Sequence, residues 1–224
     1  IACVYLQNSG LGNAINPLIS VAHKKVYSIP LLLMIGWRGS YNKKDEPQHK
    51  VKGKITPQLL KLLDINKKFR ILKKGQSVLD IGCSPGGWSQ ILSQHVYSKN
   101  LSNKIIAVDI KEMKTIENII FFKKNIFDDN FIAIIKKYFL QGIDLVISDA
   151  APPTTGIKTK DHIASLELCN RTFNIALNIL NKGGSLILKI FQGKETNLFI
   201  NQVSKKFSKV NLYKPTSSKS ESKE

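Results

Sequence analysis

Cysteine is scarce in this chain: Cys3, Cys83 and Cys169 are the only three among 224 residues. Their number is odd and their spacing wide, so they build neither a disulfide framework nor a zinc pattern, and no metal ligand set is expected. A reducing, cytoplasmic setting is expected instead. Long apolar runs are also missing. The apolar stretch at residues 29–35 is far too short to span a bilayer, so no membrane association is expected. No charged start precedes an apolar core and a small-residue cleavage site, which argues against a signal peptide. The first residue is Ile1 rather than Met, so the natural N-terminus is expected to lie further upstream. There are no internal repeats. Acidic residues are scarce as well. Asp plus Glu number 16 against 34 Lys plus Arg, a net charge of +18. Such an excess points to a polyanionic partner, nucleic acid first.

What is present is enough for one large domain or two small ones, with 42% hydrophobic residues to form a core. The most informative stretch is VLDIGCSPGGWSQ at 78–90. Val78-Leu79 leads into Asp80, then into a turn with Gly82, Pro85, Gly86 and Gly87. A helix-compatible stretch follows at 88–96. Strand, glycine turn and helix in that order build a cofactor site. The turn's glycines let the backbone approach a ligand, and the helix start offers unpaired N–H groups.

Residues 1–60 read as a partial α/β segment, with strands at 2–6 and Pro30–Ile35 and a polar loop at 37–54. Beyond residue 59 the pattern alternates regularly. Strands are expected at Val78–Ile81, 104–110, 118–122, 144–148, 185–191 and Lys209–Tyr213. Helices are expected at 88–96, 130–140, 162–180 and 195–207, the third closed by Lys182-Gly183-Gly184. Near-continuous apolar strands alternating with helices define the expected fold class: α/β, a Rossmann-like parallel sheet with helices on both faces. The Ser/Lys-rich tail after Pro215 has a disordered composition.

Ligands of such sheets sit at the carboxyl ends of the strands. Asp80, Asp109 and Asp149 all fall there. Asp109 is placed to accept hydrogen bonds from two ribose hydroxyls, and Asn125 to contact an adenine edge. Lys189 is a charge within the apolar run Leu186, Ile187, Leu188 and Ile190, so it needs a partner. Asp149 is the expected one.

Four segments carry a finer resemblance: VLDIGCSPGGWSQ (78–90), ISDAAPP (147–153), LILKIFQG (186–193) and KPTSSKSESKE (214–224). Over roughly 61–224 the chain resembles the FtsJ/RrmJ family of ribosomal RNA ribose 2′-O-methyltransferases, within the class I methyltransferases. The resemblance implies S-adenosylmethionine as cofactor, held by Asp80, Gly82, Cys83, Pro85, Gly86, Gly87, Trp88, Asp109, Asn125 and Asp149. It implies a Lys-Asp-Lys-Glu tetrad at Lys61, Asp149, Lys189 and Glu224. It also implies RNA as partner, either ribosomal RNA or a ribosomal subunit, and a cytoplasmic, monomeric enzyme. Methyl transfer to a ribose hydroxyl needs an in-line oxygen that loses its proton. A free lysine titrates near about 10.4, so neutralising one at pH 7 costs about 4.6 kcal/mol. Burial and a second cation reduce that cost. Lys189 is therefore expected to be the base or the hydroxyl-orienting group, with Lys61 as the second cation.

The chain departs from the family pattern in three places. The Arg-Ser-Arg that grips RNA before the first core strand is absent from GKITPQLLKLLDI. Asn125 stands where an Asp is expected. The text stops at Glu224, so an interior strand of the sheet is expected to be lacking, leaving an exposed edge. Residues 1–65, through YLQNSGLGNAINPLIS, LLLMIGWRGSYNKKDEPQH and GKITPQLLKLLDI, are similar instead to part of the pyrimidine-binding domain of phosphonopyruvate decarboxylase, a thiamine-diphosphate enzyme. The expected organisation is a fusion: residues 1–60 a decarboxylase-like fragment, 61–224 a methyltransferase domain truncated at its C-terminus. The expected function is methyl transfer from S-adenosylmethionine to a ribose 2′-hydroxyl of large-subunit ribosomal RNA. The competing readings are an inactive or RNA-binding remnant of the fold, and a thiamine-diphosphate-dependent decarboxylase fragment. Lys67, Lys68, Arg70, Lys73 and Lys74 are candidates for phosphate contacts.

Overall fold

The structure, a computed structural model, describes residues 30–35 and 57–215. Its elements run β1 (Pro30–Ile35), α1 (Pro57–Phe69), β2 (Val78–Ile81), α2 (Gly87–His95), β3 (Ile105–Asp109), β4 (Ile120–Lys123), α3 (Phe131–Tyr138), β5 (Ile143–Ser148), α4 (Lys158–Ile179), β6 (Leu180–Ile190), α5 (Thr196–Ser204) and β7 (Lys209–Tyr213). Among the described residues the strands form one seven-stranded sheet in the order β4-β3-β2-β5-β6-β1-β7. Every recorded pairing is parallel. This is the Rossmann-like α/β architecture that the alternation of apolar runs and helices dictates.

The helices flank the sheet in two groups, α1 with α2, and α4 with α3 and α5. α1 is amphipathic: Leu59, Leu60, Leu62, Leu63 and Ile65 are buried, while Lys67 and Lys68 are exposed. Pro57 opens it, where a missing N–H leaves no helix bond unmade. The central strands are buried on both faces, with β2 entirely enclosed. Each such Leu, Ile or Val contributes roughly 1.5–3 kcal/mol by leaving water.

Two local expectations need correction. α4 starts four residues before His162, because the Asp161 carboxylate gathers the N–H groups of Thr155 and Gly156 and steers the chain into the helix. The Lys182-Gly183-Gly184 segment does not close that helix. Leu180 is already extended and paired with Ile143, and a register shift before the Leu145–Ser185 pair absorbs residues 181–184 within β6. Gly183, at φ +85°, supplies the left-handed conformation that the irregularity needs.

The interior strand position expected to be lacking is filled. β1 lies between β6 and β7, with Leu31 opposite Leu186 and Val210, and Met34 opposite Lys189 and Tyr213. A six-residue apolar run without charges suits a position flanked by strands on both sides. The expected strand at residues 2–6 and the loop at 37–54 lie outside the described residues.

Candidate active site

Chain direction across the sheet reverses at β2 and β5. From β2 the chain moves outward through β3 and β4, then returns to β5 and moves the other way to β6. At such a reversal the two crossovers diverge and leave a crevice above the strand ends. The glycine turn after β2 and the Asp149 loop after β5 both open onto it.

Gly82 brings these two loops together. It sits at φ +72°, and a Cβ there would lie 2.5 Å from the Ala150 Cα. The turn therefore packs backbone to backbone against the residue following Asp149, which only glycine permits. The Gly86 N–H donates to the Cys83 carbonyl at 2.6 Å, and Gly86, at φ +109°, is the N-cap of α2. Gly87 begins the helix, so its first N–H groups face the turn. Cys83 is buried, and burial together with Asp80 and Asp109 pushes its thiol well above the ordinary range, so it acts as a small apolar residue. Pro85 is exposed at the tip of the turn.

Asp80 is completely buried. Desolvation pushes its pKa up to about 7, and the negative charges of Asp149 and Asp109 add to the effect against a lowering by Ser89. Ser89 donates to Asp80 Oδ2 at 2.6 Å, while Oδ1 has no partner. A buried, unpartnered carboxylate oxygen beneath a glycine turn is a place for a cation or a strong donor. Asp109, at the end of β3, shapes the same crevice. Its Oδ2 accepts from Ser84 N–H at 2.9 Å and its Oδ1 from Lys111 N–H at 2.8 Å. Each oxygen keeps a further lone pair for a ribose hydroxyl. Asn125 is exposed, and its Oδ1 accepts from Phe127 N–H at 3.0 Å in a tight turn.

The second half of the site is ionic. Lys189, near the end of β6, donates to the Asp149 main-chain oxygen, and its Nζ lies 2.8 Å from Asp149 Oδ1. Both side chains are about one tenth exposed, 11% and 12%. Asp149 Oδ1 is near the ammonium but has no aligned hydrogen bond, so it can still accept one. The pairing expected between Asp149 and Lys189 is thus present, placed by β5 and β6 lying side by side. Lys61 lies half-buried on α1. Glu224 lies outside the described residues.

Three of the site's contacts are not evident from sequence, although Trp88 itself is expected there as part of the cofactor cradle. Trp88 is buried, and its indole N–H donates to the Gln58 carbonyl at 2.7 Å, so its side chain ties the helix carrying Lys61 to the glycine turn. Arg171 donates from Nε to the Ile126 carbonyl at 2.5 Å and from Nη2 to the Asp128 carbonyl at 2.9 Å, which holds the loop of Asn125 against α4. Ser89 caps the Asp80 carboxylate. Only Ser89 had a local signal, since it follows the glycine turn by one helical step. The other two act across the tertiary fold. Among the described residues no group of three His, Cys, Asp or Glu is disposed to hold a metal. Among them, too, no helix is long and apolar enough to cross a membrane.

A parallel sheet with a glycine turn, an acid at the end of β3 and a lysine–aspartate pair around its switch point has the architecture of a class I methyltransferase. The particular family follows from comparison with known proteins: residues 58–224 match the FtsJ-like methyltransferase family, and the chain belongs to it. The methyl donor of this family is S-adenosylmethionine. The chain is 42% identical over 166 residues to ribosomal RNA large subunit methyltransferase E of Rickettsia bellii, covering 73% of each. It is 38% identical over 164 residues to the protein of the same name from Wolbachia pipientis wMel, covering 73% of this chain and 82% of that one. A crystal structure of a ribosomal RNA methyltransferase from Plasmodium falciparum superposes with a TM-score of 0.63 at 31% identity, covering 73% of this chain and 99% of that one.

Proposed function

We propose that this chain transfers a methyl group from S-adenosylmethionine to a ribose 2′-hydroxyl of RNA, with large-subunit ribosomal RNA as substrate. The observation that carries this reading is the Lys189–Asp149 pair lying directly beside the glycine turn, through the Gly82–Ala150 contact. S-adenosylmethionine supplies an electrophilic methyl on a sulfonium. The hydroxyl oxygen forms the new C–O bond as the C–S bond breaks, the thioether leaves, and the hydroxyl proton passes to Asp149 Oδ1 and on to solvent.

Asp149 Oδ1 accepts the hydrogen bond of the incoming hydroxyl. Lys189, tied to the Asp149 main chain, directs a remaining N–H at the same oxygen. Together they fix the oxygen in line with the methyl, and such positioning supplies much of the rate. Lys61 and Glu224 complete the tetrad in this reading. Asp109 and Asn125 orient the ribose and adenine, and Cys83, Pro85, Gly86, Gly87 and Trp88 form the cradle wall. The net charge of +18 supports a polyanionic substrate.

We read residues 1–60 as a fragment resembling a thiamine-diphosphate decarboxylase, joined to the methyltransferase domain. The family match begins at residue 58, while β1 (Pro30–Ile35) pairs within the methyltransferase sheet, so this division is one of sequence resemblance and not of fold. The working form in this reading is a cytoplasmic monomer.

The test is a single-turnover methyl-transfer assay on ribosomal RNA with Lys189→Ala. The rate is expected to fall by about a hundredfold or more while S-adenosylmethionine binding persists. An unchanged rate would remove Lys189 from the mechanism.

A further inference from the structure

Lys189 is one residue from the end of β6, and what fixes the turn after it is a set of side chains from the N-terminal part of α4. We propose that His162 is a positioning residue for methyl transfer, holding the Phe191-Gln192-Gly193 turn so that the Lys189 ammonium stays aligned with Asp149. This rests on the reading of Lys189 and Asp149 as the catalytic pair.

Four observations support it. His162 is buried, 2% exposed, although it lies near the start of a helix that follows an exposed loop. Its Nδ1 lies 2.7 Å from the Phe191 carbonyl, an acceptor, so Nδ1 carries a proton and donates. Ser165, one turn further along α4, accepts from the Phe191 N–H at 3.0 Å. Both main-chain groups of Phe191 are thus held by α4. Finally, Gly193 lies against the imidazole: a Cβ there would come within 2.2 Å of His162 Cδ2. Glycine ends the F-Q-G step because the ring occupies that space. The other ring nitrogen, Nε2, lies 2.9 Å from Glu195 Oε2, at ion-pair distance but without hydrogen-bond alignment.

The adjacent residue, Asp161, holds the other side of the site. Its carboxylate accepts from Thr155 N–H and Oγ–H and from Gly156 N–H, in the loop that descends from Asp149. The first turn of α4 therefore grips the chain on both sides of the Asp149–Lys189 pair. His162 supplies the grip on the lysine side. Displacing a positioned group by an ångström costs rate far more than it costs stability.

Two substitutions separate the ring's contacts. In His162→Asn the side-chain amide N–H falls near the position of Nδ1 and keeps the bond to Phe191. In His162→Gln it falls near Nε2 and keeps only the approach to Glu195. The full chain is assayed under single turnover on ribosomal RNA, with S-adenosylmethionine affinity and thermal midpoint measured beside it. Gln is expected to lower the maximal rate about tenfold or more with cofactor affinity held within about twofold, and Asn to retain the rate within about threefold. Equal rates in Gln, Asn and the parent chain would overturn the proposal. So would equal losses in both variants that track the thermal midpoint, since that is packing alone. Lys189→Met, run in parallel, distinguishes the underlying reading. If it keeps the rate, the catalytic pair is wrong; if it loses the rate while His162→Gln does not, only the positioning role is wrong.

Discussion

Replacing Asp80 by Asn separates the cost of burying a carboxylate from its use. The Asp80 pKa rises from 3.8 to about 7, chiefly by desolvation in a fully enclosed position. The folded state therefore holds a proton that the unfolded chain has released. Asp80's contribution is most favourable below pH 3.8 and is lost as the pH climbs through about 7. Across the full window the loss is about 4 kcal/mol, and between pH 5 and pH 8 it is about 2–3 kcal/mol. Asn keeps an oxygen to accept from Ser89 but introduces a buried N–H₂, at a cost of about 1–3 kcal/mol. Asp80→Asn should thus be about 1–3 kcal/mol less stable than the parent near pH 5, with that deficit cancelled or reversed near pH 8. Urea unfolding at both pH values measures this directly. The two-way difference, parent against variant and pH 5 against pH 8, cancels the titrating groups that do not interact with Asp80. The same variant should bind S-adenosylmethionine about tenfold more weakly or worse, because the unpartnered Oδ1 is replaced by a donor. A stability difference that does not change with pH would refute the account of Asp80.

Gly82→Ala should lower stability by about 2–4 kcal/mol and abolish cofactor protection, because the φ of +72° and the Ala150 backbone both resist a Cβ. Gly183→Ala, equally left-handed but facing open space, is the control and should cost only about 1 kcal/mol in the same melt. Comparable losses from the two would deny the loop-to-loop contact its importance. Charge reversal at the exposed Lys73 and Lys74 should weaken RNA binding and flatten the dependence of log affinity on log salt by about 0.7–0.9 for each phosphate contact removed, leaving cofactor affinity alone. An unchanged salt slope in a filter-binding titration would place the RNA elsewhere.

Much of the fold is legible in the text because parallel strands buried on both faces must be apolar throughout. Val78–Ile81, 144–148 and 186–190 therefore stand out without knowledge of their neighbours. The glycine turn is legible for a similar reason, since positive φ and close backbone approach exclude other residues. Element ends are less legible. The start of α4 depends on Asp161 gathering loop amides, and the start of β6 on a register shift, and neither has a local sequence signature. The contacts of Arg171, His162 and Trp88 are hard to read because each is made to a main-chain carbonyl far away in sequence. Any polar side chain of suitable reach would look the same in the text.

The sequence by itself therefore determined the sheet class, the glycine turn and the identity of the charged residues, since these follow from local conformation, periodicity and the cost of burying charge. Tertiary structure decided which charges meet. Asp149 and Lys189, forty positions apart, become partners only because β5 and β6 are neighbours in register. Gly82 joins the glycine turn to that pair only because the chain reverses at the switch point. β1, read from sequence as part of another segment, takes its place between β6 and β7 because an apolar strand there satisfies main-chain groups on both sides. Pairing partners depend on the whole sheet, and a linear pattern carries no record of them.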